Sequence, residues 1–292
     1  LIRSAWAFRR MLRDHGWEGK LQPGIYRVPQ GTTAQEIARM MVEHDTWKLR
    51  VTLPEGLTLR QIAERIEAAG AVEGGQWLPK AEEIKAAASA EHLRKVTGLS
   101  IPTKLAEGYL FPDTYYFPAG SSASSVVERM MQEFVNRFVL PYREEIRRQK
   151  LSLHELVTLA SIVEGEAASD QERPLVAQVF LNRLAIGMKL ESCATVQYAL
   201  PQRKPRLLKR DTLIPSPYNT YLHPGLPPGP ICSPGEASLL AALRPQKTDA
   251  LYFVARGDGR HIFSRTYAEH LAAIRRIRGG QAQNAPSKGA AQ

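Results

Sequence analysis

The chain has 292 residues, 43% hydrophobic and 23% charged, an ordinary globular composition with enough length for about two domains and a substantial core. Its net charge of +10 predicts an anionic partner such as nucleic acid, an acidic membrane surface or an acidic cell-wall polymer. No zinc-finger spacing, RNP-like strand or basic helix-turn-helix signature accompanies that charge, so no nucleic-acid partner is expected.

The first residue is Leu rather than Met, which predicts a piece of a longer chain. No run of about 18 apolar residues occurs, so any anchor or signal is expected upstream. Cys193 and Cys232 are too few for a disulfide scaffold, and neither they nor the histidines show metal-ligand spacing. No metal and no cofactor are expected.

In chain order, a basic helix is predicted over 5–15, turns at Gly19 and Pro23-Gly24, and a short strand over 25–28. An internal repeat follows. Gly31-Thr32-Thr33-Ala34-Gln35-Glu36-Ile37-Ala38 matches Gly56-Leu57-Thr58-Leu59-Arg60-Gln61-Ile62-Ala63. Each copy offers Thr as a helix N-cap, then apolar residues at helical spacing, and each follows an extended stretch, 25–28 or 49–53. Such a small strand–helix unit needs a shared core. With helical segments over 80–96, this region reads either as a folding scaffold or as a carbohydrate-binding module. Residues 100–103 look like a linker. An aromatic strand-and-turn stretch over 107–118 then carries Glu107 and Asp113, a composition found both in sugar clefts and at ordinary core edges. Helices are predicted over 126–138 and 142–150.

The chain is organised around a helix predicted over 151–166. Ser152 and Glu155 form a capping box, and Leu153, Leu156, Val157, Leu159, Ala160, Ile162 and Val163 make the helix apolar nearly all round, hence buried. At about 100° per residue, Leu153, Val157, Ala160 and Glu164 share a stripe and Glu166 points almost oppositely. Glu164 therefore continues a core-facing stripe where Gly165 is expected to stop the helix and open a cleft. Desolvation against apolar side chains favours a protonated carboxyl, the preparation a general acid needs. The plainer alternative makes Glu164 the first exposed residue past a core helix.

Ser169 with Glu172 offers a second capping box, followed by an apolar helix over 175–184 that ends at Gly187. Another helix starts near Ser192. Residues 201–235 are rich in turn formers, and a connection of that length inside a domain points to function. A helix to Leu243, a hairpin around Gly257-Asp258-Gly259, and a last helix over 267–278 complete the pattern.

Six ordered motifs carry a family resemblance: Ala160-Ser161-Ile162-Val163-Glu164-x-Glu166, Phe180-Leu181-Asn182-Arg183-Leu184, Ala194-Thr195-Val196-Gln197-Tyr198, Tyr218-Asn219-Thr220-Tyr221, Gly225-Leu226-Pro227-Pro228-Gly229-Pro230-Ile231 and Tyr252-Phe253-Val254. Together they resemble the YceG-like family, the endolytic murein transglycosylases. The likeness extends upstream to Glu107-Gly108 with Phe111-Pro112-Asp113-Thr114-Tyr115. It also reaches the repeat region, which resembles the LysM-like module of that family. In two departures, position 165, often basic in the family, is Gly, and position 193, often Asp, is Cys.

The resemblance implies an α+β fold: a small LysM-like strand/helix module over 1–99, then a mixed, helix-rich catalytic domain over 100–281 with a long Pro/Gly loop. A disordered tail is expected over 282–292. It implies anchoring in the bacterial inner membrane by a segment absent from this chain, with the soluble part in the periplasm. The implied partners are peptidoglycan glycan strands and the proteins of cell-wall synthesis and division. The implied reaction cuts the β-1,4 bond between MurNAc and GlcNAc and leaves a 1,6-anhydro-MurNAc end. Glu164 would be general acid and base, so no second carboxylate is needed to activate water. Glu166, Asn182, Thr195, Gln197, Tyr218, Asn219 and Thr220 would contact the glycan. Two alternatives stay open: a two-carboxylate muramidase with Glu166 or Asp113 as partner, and a non-catalytic wall-binding protein. Cys193 and Cys232 flank motifs that the resemblance assigns to one cleft. An oxidising periplasm would favour their disulfide, closing a loop of about 40 residues.

Overall fold

The structure is a computed structural model that describes residues 2–283. The tail expected over 282–292 lies outside those residues from 284 on, while 282 and 283 end the last helix. In chain order the elements are α1 (Ala5–Asp14), α2 (Ala34–Val42), β1 (Lys48–Thr52), α3 (Leu59–Gly70), β2 (Ala71–Val72), β3 (Gly75–Gln76), α4 (Ala81–Ala87), α5 (Ala90–Thr97) and β4 (Thr114–Pro118). They continue with α6 (Ala123–Phe134), α7 (Arg143–Arg148), α8 (Leu153–Glu166), α9 (Arg173–Ala185), α10 (Cys193–Ala199), α11 (Glu236–Leu243), β5 (Tyr252–Ala255), β6 (His261–Ser264) and α12 (Tyr267–Gln283). The fold is mixed α+β and helix-rich, with antiparallel pairs β1–β4, β2–β3 and β5–β6 among the described residues. No described helix is long and apolar enough to cross a membrane.

Both repeats fold as helix starts. Thr33 and Thr58 cap α2 and α3, each in a complete capping box closed by Glu36 or Gln61. Only the second copy has its strand: β1 buries Leu49 and Val51 on one face and pairs with β4 from Lys48↔Pro118 to Thr52↔Thr114. The strand expected over 25–28 does not form. That stretch is flanked by Pro23 and Pro29, which lack a ladder N–H, and its Ile25 carbonyl takes a single bond from Trp47 N–H at 2.8 Å. The β1–β4 pair joins segments on either side of residue 99, and one apolar core runs through both, from Leu49 to Leu243.

α8 starts at the Ser152 capping box, buries every residue from Leu156 to Val163, and packs against α9, α10 and α11. Gly165 does not stop it, because the helix continues to Glu166. Its lack of a side chain serves packing instead: a Cβ at 165 would sit 2.6 Å from Ala194 Cβ, so glycine lets α10 close on α8. The capping box expected at Ser169 and Glu172 is also absent. Glu172 is drawn to the β6 strand, accepting from His261 N–H at 2.9 Å and lying 2.8 Å from His261 Nδ1. α6 is shorter than expected and passes into a π-helical turn over Val135–Val139. Residues 214–235 hold no helix or strand, yet Asn219, Thr220, Ile231, Cys232 and Ser233 are buried.

Candidate active site

Glu164 lies in the last turn of α8 with its side chain only 7% exposed. Arg173 Nη1 donates to its Oε1 at 3.1 Å, and the Gly235 backbone N–H donates to its Oε2 at 3.0 Å. Arg173 belongs to the first turn of α9 and is fixed in turn, donating to Asp170 Oδ1 at 2.9 Å and Ser238 Oγ at 2.6 Å. Gly235 is the N-cap of α11, whose unpaired N-terminal amides favour a negative group nearby. Since α8, α9 and α11 pack on one another, three helices hold this one carboxylate.

A cleft of about 460 Å³ opens beside it. Gly56, Thr58, Arg60 and Gln61 of the second repeat form one wall; Gly165, Cys193, Ala194, Gln197 and Tyr198 form the other. The cleft reaches Glu164 through Gly56, where a Cβ would stand 3.7 Å from Glu164 Cγ. The second repeat is laced to the segment before α11 by Gly56 N–H to Ser233 O at 2.9 Å and Ser233 N–H to Leu57 O at 2.8 Å. That lacing brings Glu55 over Gly235, so close that a Cβ there would lie 1.9 Å from Glu55 Oε1. Partial burial pushes the Glu55 carboxyl up, and the charge of Glu164 adds to this against the opposing charge of Arg173.

A second acid lies deeper. Glu107 Oε1 accepts from Leu59 N–H, at the start of α3, at 2.8 Å, and Oε2 accepts from Tyr198 Oη at 3.3 Å. Burial pushes this carboxyl up to about 7 against those bonds. Glu107 thus ties the second repeat to the cleft wall.

The residues expected to bind glycan divide sharply. Gln197 lines the cleft, although its amide is engaged by the Lys204 backbone at 2.7 and 3.0 Å. Tyr218 packs on the cleft residue Tyr198, with ring centroids 4.8 Å apart. The others are framework. Asn182 donates to Thr248 O and Ala250 O, both at 2.9 Å. Asn219 is fully buried and donates to Thr212 O and Ile214 O. Thr195 and Thr220 share a buried hydroxyl contact of 2.9 Å. Glu166 accepts from Ser192 Oγ at 2.6 Å and Ala194 N–H at 3.1 Å, holding the start of α10; burial pushes its carboxyl up against those bonds.

Both cysteines line the cleft, but the expected bridge is absent and each thiol is free. Their sulfurs have separate partners: Cys193 Sγ lies 3.3 Å from Tyr221 Oη, and Cys232 Sγ donates to Ser161 O at 3.4 Å. Asp113 lies on a different groove along β4, its Oδ1 accepting from Thr114 N–H at 2.6 Å. Among the described residues, no three His, Cys, Asp or Glu side chains converge as a metal site. Glu55, Arg173 and Gly235 are the site residues that no sequence motif singled out.

Comparison with known proteins agrees with this architecture. A protein of Bacillus subtilis named endolytic murein transglycosylase is 36% identical over 278 residues, which is 92% of this chain and 76% of that protein. A Streptococcus pneumoniae protein of the same name is 29% identical over 276 residues, covering 86% of this chain and 49% of the streptococcal one, so the chain spans about half of that relative. A crystal structure of a YceG-like protein of Listeria monocytogenes superposes with a TM-score of 0.68 at 34% identity, covering 92% of this chain and 90% of that one. The description of the YceG-like family itself matches residues 1–276, and the chain belongs to that family.

Proposed function

We propose that this protein is an endolytic murein transglycosylase that cuts the β-1,4 bond between MurNAc and GlcNAc within glycan strands and leaves 1,6-anhydro-MurNAc ends. The observation that carries the reading is Glu164, a nearly buried carboxylate held by three helices beside a cleft, in a chain whose relatives bear that name. Protonated Glu164 gives its proton to the glycosidic oxygen as the C1–O bond breaks and C1 gains oxocarbenium character. The MurNAc 6-hydroxyl oxygen then closes on C1, and its proton returns to Glu164. No water is consumed, so one carboxyl serves as acid and then base.

Neither of the partners offered for a two-carboxylate hydrolase supports that scheme, since Asp113 lies on another groove and Glu166 is bonded to Ser192 and Ala194. A glycan-contacting role for the LysM-like region is supported by Thr58, Arg60 and Gln61, which form a wall of the cleft. Gln197 and the Tyr198–Tyr218 pair would meet the sugar from the opposite wall, the rings supplying a stacking face. We place the working protein at the bacterial inner membrane with this part in the periplasm, where nascent peptidoglycan and its synthesis and division proteins are found.

Incubation with purified peptidoglycan tests the assignment. The wild-type protein is expected to shorten glycan strands, and Glu164→Gln to lose activity by a factor of about 100 or more with its thermal melt nearly unchanged. Full activity in Glu164→Gln would remove Glu164 from the reaction.

A further inference from the structure

The second repeat contributes more than a wall. It sets a carboxylate beside Glu164 that neither the family motifs nor the single-carboxyl scheme uses. Glu55 precedes Gly56, and the two backbone bonds between residues 56–57 and Ser233 fix it over Gly235, whose N–H is bonded to Glu164. Glu164 itself is flanked on one side by Gly56 and on the other by Gly235. Two carboxyl groups therefore converge on one glycine at the start of α11. The charged groups around Glu55 are Glu164 on α8, Arg173 on α9 and Asp170 in the turn before α9.

We propose that Glu55 is a positioning residue for the catalytic proton: its carboxylate and that of Glu164 form a pair that holds one proton between them. The inference rests on the assignment of Glu164 as the acid. Two anions sharing one site repel, so such a pair keeps a proton to higher pH than a lone carboxyl in the same surroundings, and it titrates as a unit. Arg173 Nη1 and the Gly235 N–H both donate to Glu164, whose carboxylate receives the 6-hydroxyl proton. Glu55 sets a second carboxyl group against these donors, where the site must still carry a proton to donate. Glu55 lies at the exposed edge of the site, and its carboxyl is pushed up by partial desolvation and by the Glu164 charge against the opposing charge of Arg173. In the reactive arrangement the proton is on Glu164 and Glu55 is anionic. The proton passes from Glu164 to the glycosidic oxygen and is replaced from the 6-hydroxyl group, so Glu55 ends each cycle as it began.

The test is the pH profile of kcat/KM on peptidoglycan strands for the wild-type protein, Glu55→Gln and Glu55→Asp, with a thermal melt of each. Glu55→Gln keeps the shape and removes the charge, so the alkaline limb is expected to move about one pH unit lower, a loss of about tenfold on that limb. Glu55→Asp keeps an anion in place and is expected to retain the wild-type limb. A uniform loss of rate in Glu55→Gln with the limb unmoved would overturn the inference. So would an equal displacement in both variants, because packing rather than charge would then be responsible. Glu164→Gln separates the two levels of the argument. If it stays active, the assignment of the acid fails; if it is inactive and the Glu55→Gln limb does not move, only the role of Glu55 fails.

Discussion

The backbone N–H of Gly235 donates to Glu164 Oε2 at 3.0 Å, while the Cα of the same residue faces the Glu55 carboxylate so closely that a Cβ there would have to displace it. The turn into α11 is thus shaped by both acids. A Cβ at 235 would meet the movable end of Glu55 rather than backbone, so Gly235→Ala is expected to cost only about 1 kcal/mol of stability while lowering activity clearly. Denaturant melts and strand-cleavage rates measure both. Unchanged activity would show that the placement of Glu55 does not matter to the reaction.

Glu107 makes stability depend on pH. Its folded carboxyl titrates near 7 against an ordinary value of 4.5, so over that window the unfolded chain has released a proton that the folded protein retains. Folding then takes up a proton, and stability falls as pH rises from about 4.5 to about 7 before levelling off, by about 3 kcal/mol in all. Glu107→Gln keeps the acceptor for Leu59 N–H and is expected to flatten that slope. Urea melts at intervals across the window check it, and an unaltered slope would assign the dependence elsewhere.

The close approach of α8 and α10 at Gly165 and Ala194 predicts strong coupling between the two positions. Gly165→Ala gains helix propensity but places a methyl group 2.6 Å from Ala194 Cβ, and overpacking of this kind costs about 1–3 kcal/mol. The single variant is expected to be less stable than wild type. In a double-mutant cycle, Ala194→Gly should recover about 1 kcal/mol or more of the loss. Additive effects would mean that the helices part without cost.

The central helix was legible because its signals are local: a capping box at Ser152 and an apolar surface nearly all round can mean only a marked start and a buried course. The side of α8 on which Glu164 falls followed from helical period alone. What Gly165 does was not legible, because a glycine that ends a helix and one that admits a neighbouring helix look alike until Ala194 is placed. The same limit governs Asn182, Thr195, Asn219 and Thr220. Polar side chains that recognise sugars and those that bind buried loop carbonyls belong to the same residue types, and here the carbonyls of residues 212, 214, 248 and 250 claim the two asparagines. Glu55 did leave a trace. The two repeats match from Gly31 and Gly56 onward, yet Gln30 precedes the first and Glu55 the second, and only the second faces the cleft.

The cysteines give a chemical check on the cleft wall. Cys193 is exposed and Cys232 is buried, where burial pushes its thiol well above the usual range. Thiol titration of the denatured, unreduced protein should therefore find both thiols free. The native protein should react at one, and Cys193→Ser should remove that reaction. No free thiol in denatured monomer would mean that the two sulfurs have bonded.

The most direct measurement of the central claim is mass spectrometry of the strand ends produced from purified peptidoglycan. Closure of the 6-hydroxyl oxygen on C1, with Glu164 passing the proton, predicts 1,6-anhydro-MurNAc ends, each lighter by one water than a hydrolysed end, and their loss in Glu164→Gln. Reducing MurNAc ends as the main product would contradict the account, for water would then have attacked C1 in place of the sugar's own hydroxyl group.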